Sequence, residues 1–227
     1  MFRFLAVLLS CAAALPAAKY EKRLDAAAQV FEDIMRAPDQ SIPQDLLNKA
    51  ECIVIVPGAK KGAFIFGGKY GRGYASCRPA DGLGWTAPGA VRMEGFNFGL
   101  QVGGSETDIV LLIMNQQGMR RLLTSRFTIG ADASAAAGPV GRTMSANTDA
   151  FLSAEILSWS RSRGVFAGVA LDGATLREDL DVNDQLYGER YSNRDILAGR
   201  LQTPATAKPL MDLLTRYSAR AGRPAAK

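Results

Sequence analysis

Cys52-Ile53-Val54-Ile55-Val56-Pro57-Gly58-Ala59-Lys60-Lys61-Gly62 is the stretch on which the fold turns. Five consecutive small or β-branched apolar residues predict a strand buried on both faces, and Pro57-Gly58 is expected to end it. Toward the N-terminus the apolar spacing is helical. Tyr20, Leu24, Ala27, Phe31, Ile34 and Met35 predict an amphipathic helix from Lys19 to Met35, stopped by Pro38. A short helix follows, with Pro43 in its first turn and Leu46, Leu47 and Ala50 facing inward. Toward the C-terminus, strands are expected at Ala63 to Phe66, Tyr74 to Cys77, Met93 to Gly103 and Asp108 to Met114. Within Met93 to Gly103, Phe96, Phe98, Leu100 and Val102 share one face. Gly95, Asn97, Gly99, Gln101 and Gly103 share the other, and glycine inside a strand marks bending or close backbone approach.

Next come a helix from Gln116 to Ser125, capped by Asn115, and strand regions at 132–143, 149–160 and 164–171. Helices return at Asp181 to Tyr187, Ser192 to Leu197 and Leu210 to Tyr217. Helices, then strands, then helices give an α+β class. The expected architecture is a single domain with a strongly curved or barrel-like antiparallel β-sheet flanked by N- and C-terminal helices.

The chain has 227 residues, a net charge of +5, 48% apolar and 22% charged residues, values that exclude wholesale disorder. It contains no histidine, which excludes Ser-His-Asp and Cys-His catalysis and His-ligated metals. The start reads as an export signal. Arg3 precedes an apolar run from Phe4 to Leu15, too short to span a bilayer, and small residues follow at Ala17 and Ala18. The expected organisation is a signal peptide at 1–18, a domain at 19–220 and a loose tail at 221–227. The protein is then exported, periplasmic or extracellular and membrane-associated. Leu8-Leu9-Ser10-Cys11 also has the form of a lipoprotein box. Cys52 and Cys77 are expected to be two small buried hydrophobes rather than a disulfide, because a simple meander separates them.

Basic residues are the main candidates for a site. Lys60 and Lys61 sit in the predicted turn, Lys69 and Arg72 on the next glycine-rich bend, and Arg78 beyond it. Turn amides with Lys and Arg suit a phosphate or lipid headgroup. The alternative is a solvated hairpin whose lysines discourage edge pairing. Gly138-Pro139-Val140-Gly141-Arg142 could carry Arg142 to an anion, although a structural turn explains it better. Asp181-Val182-Asn183-Asp184-Gln185 fails as a calcium loop, since Leu186 and Ser192 occupy the positions that need Gly and Glu. Glu106, Asp108, Asp132 and Asp172 would support glycoside chemistry only if two of them met. The polar side of the first helix adds Lys22 and Arg23, and such a helix can lie in a membrane interface or pack on the core. The positive excess is too small and spread out for nucleic acid. No cofactor is expected.

An ordered set of motifs resembles the SYLF domain family. It comprises Ile42-Pro43-x-x-Leu46-Leu47-x-x-Ala50, Lys60-x-Gly62, Gly71-x-Gly73, Arg78, Trp85-Thr86-Ala87-Pro88 and Gly130-Ala131-Asp132. Gly138-Pro139-x-Gly141-Arg142, Ser162-Arg163-Gly164-Val165-Phe166-Ala167-Gly168 and Leu171-x-Gly173 complete it. The resemblance spans about Leu24 to Tyr217 and implies binding rather than catalysis. Eukaryotic members are associated with phosphoinositides and other anionic lipids, some with actin filaments, and often carry an SH3 or FYVE domain. This chain looks like the stand-alone, exported bacterial type. The resemblance makes Lys60 and Arg142 family-motif residues. It also draws attention to Lys22 and Arg23, because the family's N-terminal helix is implicated in membrane contact. The expected partner is an anionic phospholipid surface met through Lys22, Arg23, Lys60, Lys61, Lys69, Arg72 and Arg142. An envelope protein partner is the alternative.

Overall fold

The computed structural model describes residues 19–61, 69–95, 106–141, 153–162 and 164–218. The expected strand at 63–66, most of the alternating stretch 93–103, Arg142, Cys11 and both termini lie outside them.

Helix α1 (Lys19–Arg36) forms as its spacing predicts. Leu24, Ala27, Ala28, Phe31, Ile34 and Met35 are buried along one stripe, while Lys22, Asp25 and Gln29 are exposed. Helix α2 (Gln44–Lys49) buries Leu46 and Leu47. Four strands follow: β1 (Cys52–Lys61), β2 (Lys69–Cys77), β3 (Gly89–Glu94) and β4 (Thr107–Ile113). Helix α3 (Gln116–Leu122) starts where Asn115 accepts the Gly118 N–H at 2.9 Å. Strands β5 (Arg126–Thr128), β6 (Ala135–Ala137), β7 (Ile156–Ser162), β8 (Val165–Gly168) and β9 (Thr175–Glu178) lead to helices α4 (Leu180–Tyr187), α5 (Asn193–Asp195) and α6 (Lys208–Tyr217).

The nine strands form one sheet in the order β5-β9-β3-β2-β1-β4-β7-β6, with β8 on β7. All pairings are antiparallel except β6 with β7. The alternation of β1 assigns its side chains to two cores. Ile53 and Ile55 join Tyr74, Val110, Leu112 and Trp159 beneath α1, α2, α4 and α6. Cys52, Val54 and Val56 join Met93, Leu111, Phe127, Ile156 and Leu176. This second cluster draws residues from both ends of the strand order, β5 and β9 with β7, so the sheet curls around it. The expected α+β class and curved sheet between terminal helices are the observed fold.

Three details depart from the sequence reading. First, β1 does not stop at Pro57-Gly58. Its register shifts there against both neighbours and pairing resumes, Lys60 with Tyr70 and Lys61 with Lys69. Proline lacks the N–H a ladder needs and is tolerated at such an irregularity. Gly58 adopts φ 57° there, and its N–H donates to Asp108 at 2.9 Å. The basic segment is therefore the far end of a strand pair, not a turn.

Second, Cys52 and Cys77 form a disulfide. In an antiparallel hairpin the first residue of one strand faces the last of the next, and these two are register partners with Cα atoms 3.9 Å apart. The meander picture separated them by sequence order instead of by register. Third, β5 and β9 were not foreseen, and the strand expected over 132–143 is confined to three residues among those described. These short elements carry too few residues for a period to show.

Buried polar groups close the structure. Asn183 Oδ1 accepts the Ala90 N–H at 2.8 Å, and its Nδ2 donates to Asn193 Oδ1 at 2.9 Å. Asn193 Nδ2 in turn donates to the Ala90 carbonyl at 3.0 Å. Asn183 thus anchors the C-terminal helices to β3. Arg78, only 2% exposed, stacks at 3.7 Å on Trp85 and donates to the carbonyls of Gly84 and Ser218. It is a fastener for the end of α6 and not part of an open basic surface.

Candidate basic cleft

The outer face of α1 meets the β1 irregularity across a cleft of about 330 Å³. Lys22, Arg23, Ala26 and Gln29 line one wall; Pro57, Gly58, Glu106, Asp108 and Arg161 line the other. The cleft exists because α1 buries its apolar stripe against the sheet, which leaves its basic side beside the point where β1 changes register.

Arg161 organises the floor. Its Nε donates to Asp108 at 2.7 Å and its Nη1 to Asp33 at 2.5 Å. The guanidinium also lies 5.0 Å from the centre of the Phe166 ring. Burial opposes its charge, but the hydrogen bonds it donates to Asp33 and Asp108 outweigh that and hold its pKa above the ordinary value. Asp108 also accepts the Gly58 N–H, so one carboxylate joins the irregularity to β7. Arg161 was missed by sequence reading. Its only signal is the register that sets it opposite Asp108.

Arg23 lies beside Tyr74. Burial pushes the Tyr74 phenol well above its usual range, with Arg23 opposing. Tyr74 donates to the Tyr20 carbonyl at 2.8 Å, which ties the first turns of α1 to β2. Lys22 is exposed. Lys60 is 69% exposed and pairs with Glu106 at 2.8 Å at the cleft margin.

Of the residues expected from sequence, the structure thus brings Lys22 and Arg23 to one cleft, and Lys60 next to it through its ion pair with the lining residue Glu106. Lys61 and Lys69 are cross-strand partners at the same end of β1 and β2. Arg72 points elsewhere: its Nε lies 3.2 Å from Asp179. Arg142 is outside the described residues. The preceding glycines are structural, since Gly138 packs on Trp159, whose Nε1 donates to the Pro139 carbonyl at 2.9 Å.

Two of the acids, Glu106 and Asp108, share the cleft, each engaged by a basic side chain. Asp108 is held by Arg161, Glu106 by Lys60, and Asp132 accepts the Thr128 N–H at 2.7 Å. Among the described residues no group of His, Cys, Asp and Glu is placed to hold a metal ion. No described helix is long and apolar enough to cross a membrane.

The Ysc84 family, described as Las17-binding protein actin regulator, matches residues 94–217, more than half of the chain. Protein YSC84 of Saccharomyces cerevisiae is 34% identical over 179 residues, covering 78% of this chain and 38% of that protein. LAS seventeen-binding protein 3 of the same yeast is 35% identical over 179 residues, covering 78% and 39%. Human SH3 domain-containing YSC84-like protein 1 is 31% identical over 182 residues, covering 80% and 53%. The chain thus spans about two fifths to one half of the relatives it matches. With its motif order, its curled sheet and this family match, the protein belongs to the Ysc84 family, whose shared unit is the SYLF domain.

Proposed function

We propose that this domain binds anionic phospholipid headgroups at a membrane surface, without catalysis, through the basic end formed by α1 and the β1–β2 pair. The observation that carries the reading is the meeting of Lys22 and Arg23 with the β1 irregularity and Lys60 around one cleft. Residues far apart in sequence converge there, and Lys61 and Lys69 extend the same end of the strand pair. Each Lys or Arg near an acidic membrane contributes about 1 kcal/mol, so four or five acting together hold a protein at the surface. Headgroup phosphates accept charge-assisted hydrogen bonds from these side chains. An export signal at 1–18 would deliver the domain to an envelope membrane.

Co-sedimentation with vesicles tests the reading. Binding to phosphatidylglycerol or cardiolipin vesicles at low salt, weakened by salt and absent on neutral vesicles, is expected. Equal binding to neutral and acidic vesicles, or none to either, refutes it.

A second reading is a protein-interaction module. It is favoured by the names of the relatives, which are Las17-binding and actin-regulating proteins. Under that reading an envelope protein is captured in place of lipid, and the complex withstands salt.

A further inference from the structure

Strand register assembles a feature that sequence order conceals. Arg72 of β2 faces Arg92 of β3; Arg92 faces Arg177 of β9; Arg177 faces Arg126 of β5. Directly opposed residues of antiparallel strands share a face, so four arginines form one row across four adjacent strands. At ~4.8 Å per strand the row is about 14 Å long. Like charges directly opposite one another destabilise a sheet. Three such contacts in sequence therefore call for compensating negative charge.

The protein supplies buried negative charge at one end of the row. Asp179, fully buried, lies 3.2 Å from both Arg72 and Arg92. Neither of its carboxylate oxygens, nor the Nε of either arginine, has a hydrogen-bond partner among the described residues. Asp181 is 3.8 Å from Arg92 and 3.5 Å from Arg190. Toward the other end, Arg177 has only an exposed contact with Glu94 at 3.5 Å, and Arg126 makes no ion pair among the described residues. A pocket of about 370 Å³ opens there, with four guanidinium groups, Arg92, Arg126, Arg177 and Arg190, against the carboxylates of Glu178 and Asp181. Glu178 is partly spent, because it accepts the Asn193 N–H at 3.1 Å.

We infer that this pocket is a second anion site, which takes a compound bearing several phosphate groups along the arginine row. Guanidinium forks pair with phosphoryl oxygens two at a time. The three row arginines that line the pocket, Arg92, Arg177 and Arg126, span about 10 Å at ~4.8 Å per strand, a length matched by more than one phosphoryl group and not by a single carboxylate. The site shares no lining residue with the α1 cleft, so it stands or falls apart from the lipid reading. The phosphates can belong to a free polyphosphate or to a membrane headgroup.

The test is titration calorimetry of the full-length protein with tripolyphosphate, alongside phosphatidylglycerol vesicles. The variants are Arg126→Gln, Arg177→Gln and the pair Lys22→Gln/Lys60→Gln. All four positions are at the surface, and Tm without ligand is recorded for each variant. The row predicts tripolyphosphate binding that weakens about tenfold or more in Arg126→Gln and in Arg177→Gln. It predicts no change in Lys22→Gln/Lys60→Gln. It further predicts that Arg126→Gln leaves Tm unchanged or raises it, because an opposed like charge is gone. A purely structural arginine would lower Tm.

Tripolyphosphate binding with that pattern, and vesicle binding indifferent to the arginines, identifies a free polyphosphate. Vesicle binding that also falls in the arginine variants identifies a headgroup. Tripolyphosphate binding equal in wild type and both arginine variants overturns the site. So does absence of tripolyphosphate binding with vesicle binding insensitive to the arginines. Loss of vesicle binding only in Lys22→Gln/Lys60→Gln, with no tripolyphosphate binding that the arginine variants weaken, sustains the lipid reading while refuting this one.

Discussion

Unfolding in urea with and without a phosphine reductant isolates what the Cys52–Cys77 bond contributes. The bond joins residues 25 apart in sequence. The chain-entropy relation for a loop of that length gives about 3.5 kcal/mol near room temperature, through restriction of the unfolded chain. Reduction leaves both sulfur atoms in the buried cluster of Val54, Val56 and Leu111, so no cavity term enters. That makes it a cleaner perturbation than alanine replacement. With a denaturant slope of about 2–3 kcal/mol per molar urea, the midpoint should fall by roughly 1–2 M. Thiol counting in denaturant without reductant should find one free group in the full chain, Cys11, since the sequence holds three cysteines. Superimposable curves with and without reductant, or three free thiols, would refute the assignment.

Other consequences are equally open to measurement. At Gly138 an added Cβ would lie 2.1–2.5 Å from Trp159 ring atoms. Gly138→Ala should therefore cost roughly 1–3 kcal/mol through overpacking, with red-shifted tryptophan emission and a lower Tm. A variant with wild-type Tm would contradict the packing described. Burial also raises the phenol pKa of Tyr74 and Tyr187 well above the ordinary tyrosine value of about 10. A group that holds its proton more tightly when folded adds stability that is fully present below its unfolded pKa. That stability is lost as pH rises toward the folded value. Unfolding free energy should thus be insensitive to these tyrosines at neutral pH and decline above about pH 10. Phenolate absorbance from two tyrosines should appear only with unfolding. Full phenolate titration in the folded protein would contradict this.

The sequence was most legible where apolar residues repeat over several turns or pairs. The α1 stripe of Leu24, Ala27, Phe31 and Ile34, the doubly buried β1 and the run of β4 all lie where periodicity placed them. Pro57-Gly58 misled because the pair is both a turn signal and the composition of a strand irregularity. Only the partners decide, and here Asp108 captures the Gly58 N–H. The disulfide, the Asp108–Arg161 pair and the arginine row were out of reach for one reason. Each is a cross-strand juxtaposition fixed by register, and register is a property of two strands, not of one. The basic residues on α1 and β1 were visible as types. Their convergence was not, because it depends on how α1 packs over the sheet.

The central claim, that the α1 cleft meets acidic headgroups, is tested most directly by two neutralisations of opposite sign. Glu106 engages Lys60 at 2.8 Å, and both side chains are more than half exposed. Glu106→Gln therefore releases a positive charge at the cleft margin without opening the core, whereas Lys22→Gln removes one from the opposite wall. At about 1 kcal/mol per charge near an acidic surface, affinity for phosphatidylglycerol vesicles should rise about fivefold in Glu106→Gln and fall about fivefold in Lys22→Gln. Both shifts should vanish at high salt. Equal binding by the two folded variants and the wild type, or a loss in Glu106→Gln, would contradict the claim.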